Sequence, residues 1–183
     1  MLMMKISFIV IYLFAVVSAK QLISYHKDSL SCSSARALIE KHEGYKSCEY
    51  VDTTGHPTIC VGFNLDRSDA RSKIKEVGGD YDKLLKGGCL SHSQCEKLFD
   101  GDLSTAEKDE ENVFGTVCGC VQNVLIDMTF NLGRSQIAGF TTFVKYIKAK
   151  DWKSAGEDLR TTAWCSQVGT RCRDDMAQIE AGC

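Results

Sequence analysis

A chain of 183 residues with 22 basic and 24 acidic side chains has a formal charge of −2, which excludes the strong positive field that draws nucleic acid or an anionic wall to a basic protein. The length suits one domain and is enough to bury most of the surface that the unfolded chain would expose. No internal repeat or low-complexity tract divides it.

The chain opens like an export signal. Lys5 supplies a positive start, Ile6 to Val17 is an almost unbroken apolar run, and Val17-Ser18-Ala19 offers small residues for cleavage. A signal peptide is therefore expected over 1–19, leaving a mature chain of 20–183 with charge −3 once Lys5 is lost. A retained anchor is the alternative, but about a dozen apolar residues fall short of the roughly twenty that span a bilayer. No later segment is apolar enough to span, so the expectation is a secreted, extracellular protein with no stable membrane association and no nucleic-acid partner.

All ten cysteines, Cys32, Cys48, Cys60, Cys89, Cys95, Cys118, Cys120, Cys165, Cys172 and Cys183, lie in the mature part. An even count behind an export signal predicts disulfides. Sequence does not choose among the many pairings, although Cys48 and Cys60 would face each other across a hairpin. A zinc site from Cys89, His92 and Cys95 closed by Cys118 or Cys120 is the competing reading. It is disfavoured because exported thiols oxidise, and no metal is expected. No Asn-x-Ser/Thr sequon is present.

Residues 34–42 predict a helix with apolar contacts at Leu38 and Ile39, a cap at Ser33 or Ser34, and a stop at Gly44. Lys46–Val51 and Thr58–Phe63 predict strands joined by the turn residues 52–57, an antiparallel hairpin. Polar residues 64–90 predict one short helix between irregular connections. Ser91-His92-Ser93-Gln94 matches a capping box and opens a long helix from about 92 to 110, along which Cys95, Leu98, Phe99, Leu103 and Ala106 recur at helical spacing. Val121, Val124, Leu125 and Met128 mark another helix, with Gly133 as its stop. Phe140, Phe143, Val144 and Ile147 mark a third. Asp151 caps a further helix carrying Trp152, Ala155 and Leu159, and a last one covers about 171–180. The fold class is α+β and mainly helical: a small sheet-bearing lobe over about 20–90, a connecting helix over about 91–110 and a helical lobe over about 111–183.

Glu43 falls at the C-terminal end of the first helix, where carbonyl ends present negative potential and disfavour a second negative charge. A glutamic acid that keeps its proton is what the leaving oxygen of a glycosidic bond needs. On the residue alone, an exposed surface glutamate is the readier reading. Asp52 opens the Asp-Thr-Thr-Gly turn, where an aspartate bonds its own backbone; beside a cleft, such a solvated carboxylate stays ionised. Two carboxyl groups driven to different protonation states suit glycoside hydrolysis. Thr58 begins the second strand and can aim its hydroxyl across the hairpin mouth, or simply pack.

Glu43-Gly44, Asp52, Gly55, Pro57-Thr58-Ile59 and Gly62 resemble the pattern of phage-type lysozymes and endolysins: Glu-Gly, a nine-residue step to Asp and a six-residue step to Thr. Glu96-Lys97-Leu98-Phe99, Phe130-Asn131-Leu132-Gly133, Ala138-Gly139-Phe140-Thr141, Trp152, Trp164, Gln167 and Arg171 follow in the order and at the intervals of that family. The resemblance implies the two-lobed lysozyme fold, with a cleft between the lobes, and a muramidase acting on bacterial peptidoglycan. It implies Glu43 as general acid, Asp52 as the carboxylate that activates water or stabilises positive charge, and Thr58 as the hydroxyl that positions the water. Water delivery of this kind is the inverting geometry, with carboxyl groups roughly 6.5 to 9.5 Å apart. Phe130 matches a cleft-lining position where its ring packs on sugar or in the core, and Arg171 matches a basic position beside the acid.

Cys60, Phe63, Asn64, Phe143 and Asp158 depart from the family's usual residues and bear on substrate preference. The cysteines and export signal point to a version adapted to defence or digestion outside the cell. Two alternatives stand beside the hydrolase: an inactive glycan-binding module, which retention of Glu43, Asp52 and Thr58 together argues against, and a lytic transglycosylase using Glu43 alone. No cofactor is expected, since side chains and water supply both acid and base, and a monomer is expected.

Overall fold

The computed structural model describes residues 32–183, and the expected export signal lies outside the described residues. Helix α1 (Ala35–Glu43) starts at Ser34, whose hydroxyl accepts from the Ala37 amide, and ends at Gly44 with φ +72°. Glycine adopts that conformation without the Cβ clash that other residues incur, so the helix stops with Glu43 as its last residue.

A three-stranded antiparallel sheet follows: β1 (Lys46–Val51), β2 (Pro57–Cys60) and β3 (Phe63–Asn64), in that order. Tyr50 pairs with Thr58, and Ile59 with Phe63. The strand expected over Thr58–Phe63 is therefore two strands. Cys60 and Gly62 have φ of +59° and +66°, so the chain turns back on itself there.

The hairpin register also corrects the expected Cys48–Cys60 pairing. Lys46 is the partner of Cys60, and the register shifts before Tyr50, which takes Cys48 out of reach. Cys48 instead bridges to Cys89, with Cα atoms 3.9 Å apart. Cys60 is joined to Cys95 and Cys165 to Cys172, with Cα separations of 5.2 and 5.1 Å. Cys32, Cys118, Cys120 and Cys183 are disulfide-bonded as well, and no cysteine is free. Because Cys89 and Cys95 both end in disulfides, neither is a thiolate ligand for zinc.

Residues 64–90 hold two short helices rather than one, α2 (Ala70–Glu76) and α3 (Tyr81–Leu84). The expected capping box is present at the start of α4 (His92–Phe114), where Ser91 and Gln94 satisfy each other's backbone donors. This helix runs beyond residue 110 to a glycine stop at Gly115. Helix α5 (Gly119–Ala138) follows at a bend of 112°, broken at Gly133, where φ +74° and ψ 158° are not helical. The remainder is α6 (Thr141–Lys148), α7 (Trp152–Arg160) capped by Asp151, α8 (Ala163–Val168) and α9 (Thr170–Ala181). Helix α8 carries too few periodic apolar residues to announce itself in sequence. It forms because Thr162 caps it, accepting from the Cys165 amide. No single described helix is long and apolar enough to cross a membrane.

Three apolar clusters hold these elements. Ile59, Phe63, Leu65, Ile74 and Leu84 pack with Cys95 and Leu98 under the sheet. Leu38, Phe114, Leu125, Met128, Phe143 and Ile179 belong to the helical core. Between them lie Ile39, Val61, Phe99, Ala106 and Ile126, with Phe130 packed on the edge. Helix α4 threads all three, contributing Leu98, then Phe99 and Ala106, then Phe114. Phe143, one of the departures noted in the sequence, is fully buried in the helical core rather than in a cleft.

Glu110 on α4 is fully buried, and its Oε1 has no hydrogen-bond partner. Burial pushes its carboxyl up to about 7, against a Gln122 bond that lowers it. The folded state thus keeps a proton that the unfolded state has lost, so stability falls as pH rises between the ordinary glutamate value and 7. Glu110→Gln should remove this dependence, amounting to about 3 kcal/mol, and urea unfolding of parent and variant between pH 4 and 8 checks it. In the same assay, replacing Cys60 and Cys95 by serine should cost about 4 kcal/mol, against about 2 for the short Cys165–Cys172 loop, because the longer loop removes more unfolded-state entropy.

Candidate active site

Glu43 projects from the end of α1 with its side chain 21% exposed, and Arg171 of α9 donates from Nη1 to its Oε1 at 2.6 Å. Gly62, in the turn between β2 and β3, backs the carboxylate. A Cβ there would lie 2.9 Å from Glu43 Oε2. Glycine is required twice over, by its φ of +66° and by this close approach.

Asp52 sits after β1 as the hub of the hairpin turn. Its Oδ1 accepts from the Thr54 amide at 2.8 Å, the Thr54 hydroxyl at 2.8 Å and the His56 amide at 2.9 Å. The His56 amide bond holds the exposed carboxyl below the usual aspartate range, against a desolvation effect that the Thr54 bonds help to outweigh. An ionised carboxylate is thus maintained in water. Thr58 is buried and donates its hydroxyl proton to the His56 carbonyl at 3.1 Å. Across the strand pair from Thr58, the Tyr50 hydroxyl is pushed up by burial and then by the charges of both Glu43 and Asp52. Tyr50 therefore lies within the field of both carboxylates.

Beside Gly62 opens a cleft of about 200 Å³ lined by Asn64, Arg67, Asp102, Thr105, Asp109, Thr129, Phe130 and Gly133. Sheet-side residues form one wall and helices α4 and α5 the other. Arg67 spans the wall, donating to both Asp69 oxygens at 2.6 and 2.9 Å and to Asp102 at 2.8 Å. Its guanidinium lies 4.8 Å from the ring centre of Phe63. Burial pushes the Asp102 carboxyl up, only partly offset by the Arg67 bond. Phe130 is half-buried, edge-on to Phe99 with centroids 5.8 Å apart. One side of its ring rests on the core while the residue borders the cleft. Phe130 thus touches both the core cluster and the cleft. Gly133 breaks α5 at the cleft edge.

Three further residues gather behind Glu43 that sequence reasoning did not single out. Asp127 of α5 is fully buried and receives Arg171 Nε at 2.9 Å and Nη2 at 2.8 Å, one on each oxygen, while its carbonyl takes Nη2 at 3.0 Å. His42 faces Asp127 through Nδ1 at 3.1 Å and Asp174 through Nε2 at 3.4 Å. Asp175 is fully buried with neither oxygen hydrogen-bonded. Asp127 looks in sequence like a polar interruption of an apolar run, Ile126-Asp127-Met128, and a buried acid there implies a cation. Arg171 is that cation. Burial opposes its charge, and the Asp127 and Glu43 carboxylates more than offset that opposition. His42, Asp127 and Asp175 lie within 4.8 Å of one another, an arrangement that resembles a metal site. The guanidinium already occupies both oxygens of Asp127, so the positive charge there is supplied by protein.

A family model described as phage lysozyme matches residues 40–174. The chain is 28% identical over 162 residues to probable T4-type lysozyme 1 of Dictyostelium discoideum, covering 82% of this chain and 95% of that protein. Probable T4-type lysozyme 2 of the same organism is 27% identical over the same length and coverage. The pre-baseplate central spike protein Gp5 of Enterobacteria phage T4 is 26% identical over 149 residues, which are 75% of this chain and 26% of that protein.

Gly62→Ala should lower the melting temperature by about 2–8 °C, the equivalent of one to two kcal/mol of left-handed strain. A crystal structure of the variant should show the Glu43 carboxylate pushed out of its place. Thermal unfolding unchanged from the parent would show that the turn tolerates a side chain.

Proposed function

Since the chain belongs to the phage lysozyme family and is a glycoside hydrolase with peptidoglycan as substrate, we propose that it cuts the β-1,4 bond between N-acetylmuramic acid and N-acetylglucosamine with inversion. Glu43 gives its proton to the leaving oxygen. Asp52 takes a proton from the attacking water and stabilises the oxocarbenium-like charge, and the lone pairs of the Thr58 hydroxyl hold that water. The observation that carries the reading is the position of Glu43, partly exposed beside the Gly62 turn at the cleft and gripped by a buried arginine.

The environments of the two carboxyl groups support the division of labour. Asp52 is kept ionised by three hydrogen bonds from its own turn, as a base needs. Glu43 terminates α1 and stands partly exposed beside the Gly62 turn. Phe130 and Asn64 offer the cleft an aromatic face and an amide, groups suited to sugar rings and N-acetyl substituents. A cleft made within one chain suits a monomer. Complete pairing of the cysteines supports work in an oxidising compartment, so the proposal extends to a secreted enzyme that lyses bacteria in defence or digestion.

The test is release of reducing ends from purified peptidoglycan, with the anomer of the first product followed by NMR. Glu43→Gln should fold normally and lose activity by about 10²- to 10⁴-fold. Asp52→Asn should lose a similar factor while keeping its turn, because the amide oxygen still accepts the Thr54 and His56 bonds. Parental activity in Glu43→Gln overturns the acid assignment, an anhydro sugar overturns hydrolysis in favour of transglycosylation, and a β-anomer as first product overturns inversion.

A further inference from the structure

We propose that Asp127 is a positioning residue for the reaction, cancelling the Arg171 charge that faces Glu43, and that Asp175 holds Asp127 in place through a shared proton. The inference rests on Glu43 being the acid. An arginine 2.6 Å from a general acid is an obstacle, because it sets a full positive charge against the group that must carry a proton. Asp127 answers it with the stronger grip. It takes two parallel bonds from the guanidinium, one on each oxygen, where Glu43 takes one. The Arg171–Asp127 pair is close to neutral as a unit. Arg171 then orients Glu43 as a hydrogen-bond donor without acting on it as a free cation.

Asp127 in turn needs something behind it. Its oxygens accept from Arg171, and Oδ2 also faces His42, while Asp175 presses a second buried carboxyl against the same place with both oxygens otherwise unpartnered. Two carboxylates cannot both ionise there. Burial first, and then the neighbouring Asp127 charge, push the Asp175 carboxyl up to about 8, so near neutrality it carries a proton and donates it to Asp127. The orphaned Asp175 oxygens thereby gain a partner in Asp127.

The groups facing this cluster are few among the described residues. From α1 come Lys41, which bonds to Asp174 at 2.6 Å, His42, and Glu43 itself. From β1 comes Tyr50, within the field of Glu43. Helix α5 contributes Asp127, and α9 contributes Arg171, Asp174 and Asp175. Helix α8 has no titrating side chain, since Cys165 is in a disulfide. From α7, Lys153 pairs with Glu157 in solvent, Arg160 pairs with Glu180 towards the far end of α9, and Asp158 is not among the charges acting on Asp175.

The test compares pH profiles of kcat/KM on peptidoglycan from pH 4 to 9 for the oxidised mature protein, Asp127→Asn and Asp175→Asn, with Glu43→Gln as control. Asp127→Asn leaves Arg171 uncompensated, so the alkaline limb should move at least one pH unit towards acid. The expected loss is about tenfold on that limb and less than about twofold near pH 4.5, one unit being a factor of ten. Asp175→Asn keeps a donor towards Asp127 and should follow the parent profile below pH 7. A loss in Asp127→Asn by one constant factor at every pH, with the limb unmoved, would overturn the proposal by reducing Asp127 to a structural role. Carboxyl carbon NMR of the unaltered protein supplies a readout independent of variant folding: Asp175 should titrate above pH 7, and an Asp175 signal already ionised at pH 6 would overturn the shared proton. Parental activity in Glu43→Gln would instead sink the acid assignment alone, leaving the NMR result standing.

Discussion

The guanidinium of Arg171 is the interaction on which the functional half of this molecule depends. It is buried, yet it reaches three carboxylate oxygens on two elements, Glu43 at the end of α1 and Asp127 on α5. A buried ion pair adds little net stability compared with apolar packing, but breaking one leaves an unpaired charge in a poor dielectric at a cost of about 3–5 kcal/mol. The value of the arrangement is therefore geometric. Three elements from opposite ends of the sequence meet at one planar group, and the acid is aimed as a consequence.

Around that group the chain has built supports of different kinds. Gly44 ends α1 so that Glu43 is its last helical residue, and Gly62 leaves room for the carboxylate. The Cys60–Cys95 bond ties the end of β2 to the first turn of α4, the helix that runs through all three apolar clusters. Cys48–Cys89 fastens the edge strand β1 to the approach of the same helix. A small sheet has little core of its own and gains rigidity from such staples. The turn that carries Asp52 belongs to that sheet, while Phe130 and Arg171 are carried by helices α5 and α9.

Charge in the cleft differs from that of a basic wall-binding enzyme. The net charge is slightly negative, and Arg67 on the cleft wall is already engaged with Asp69 and Asp102. Long-range attraction to an anionic polymer is weak under these conditions, so recognition falls to contacts at short range. Two buried acids, Glu110 and Asp175, are both pushed up by burial, to about 7 and about 8, and each makes the folded state more stable towards acid.

Local chemistry was legible from the residues themselves. The Ser91–Gln94 capping box, the Asp52 turn, the stop at Gly44 and the break at Gly133 depend on bonds and dihedral preferences within a few residues, so sequence determined them. The spacing of Glu43, Asp52 and Thr58 was legible for the same reason, since helix end, turn and strand follow one another without a long connection. What lay beyond the sequence was anything that turns on distance in space. A two-residue register irregularity in β1 keeps Cys48 away from Cys60, and Cys48 bridges to Cys89 instead; no periodicity reports such a shift. Phe143 could be assigned to cleft or core only by seeing which face α6 turns inward. The cluster of His42, Asp127 and Asp175 comes from α1, α5 and α9, and each looks ordinary on its own helix. Burial and mutual approach make them a functional group, and both are properties of the folded chain alone.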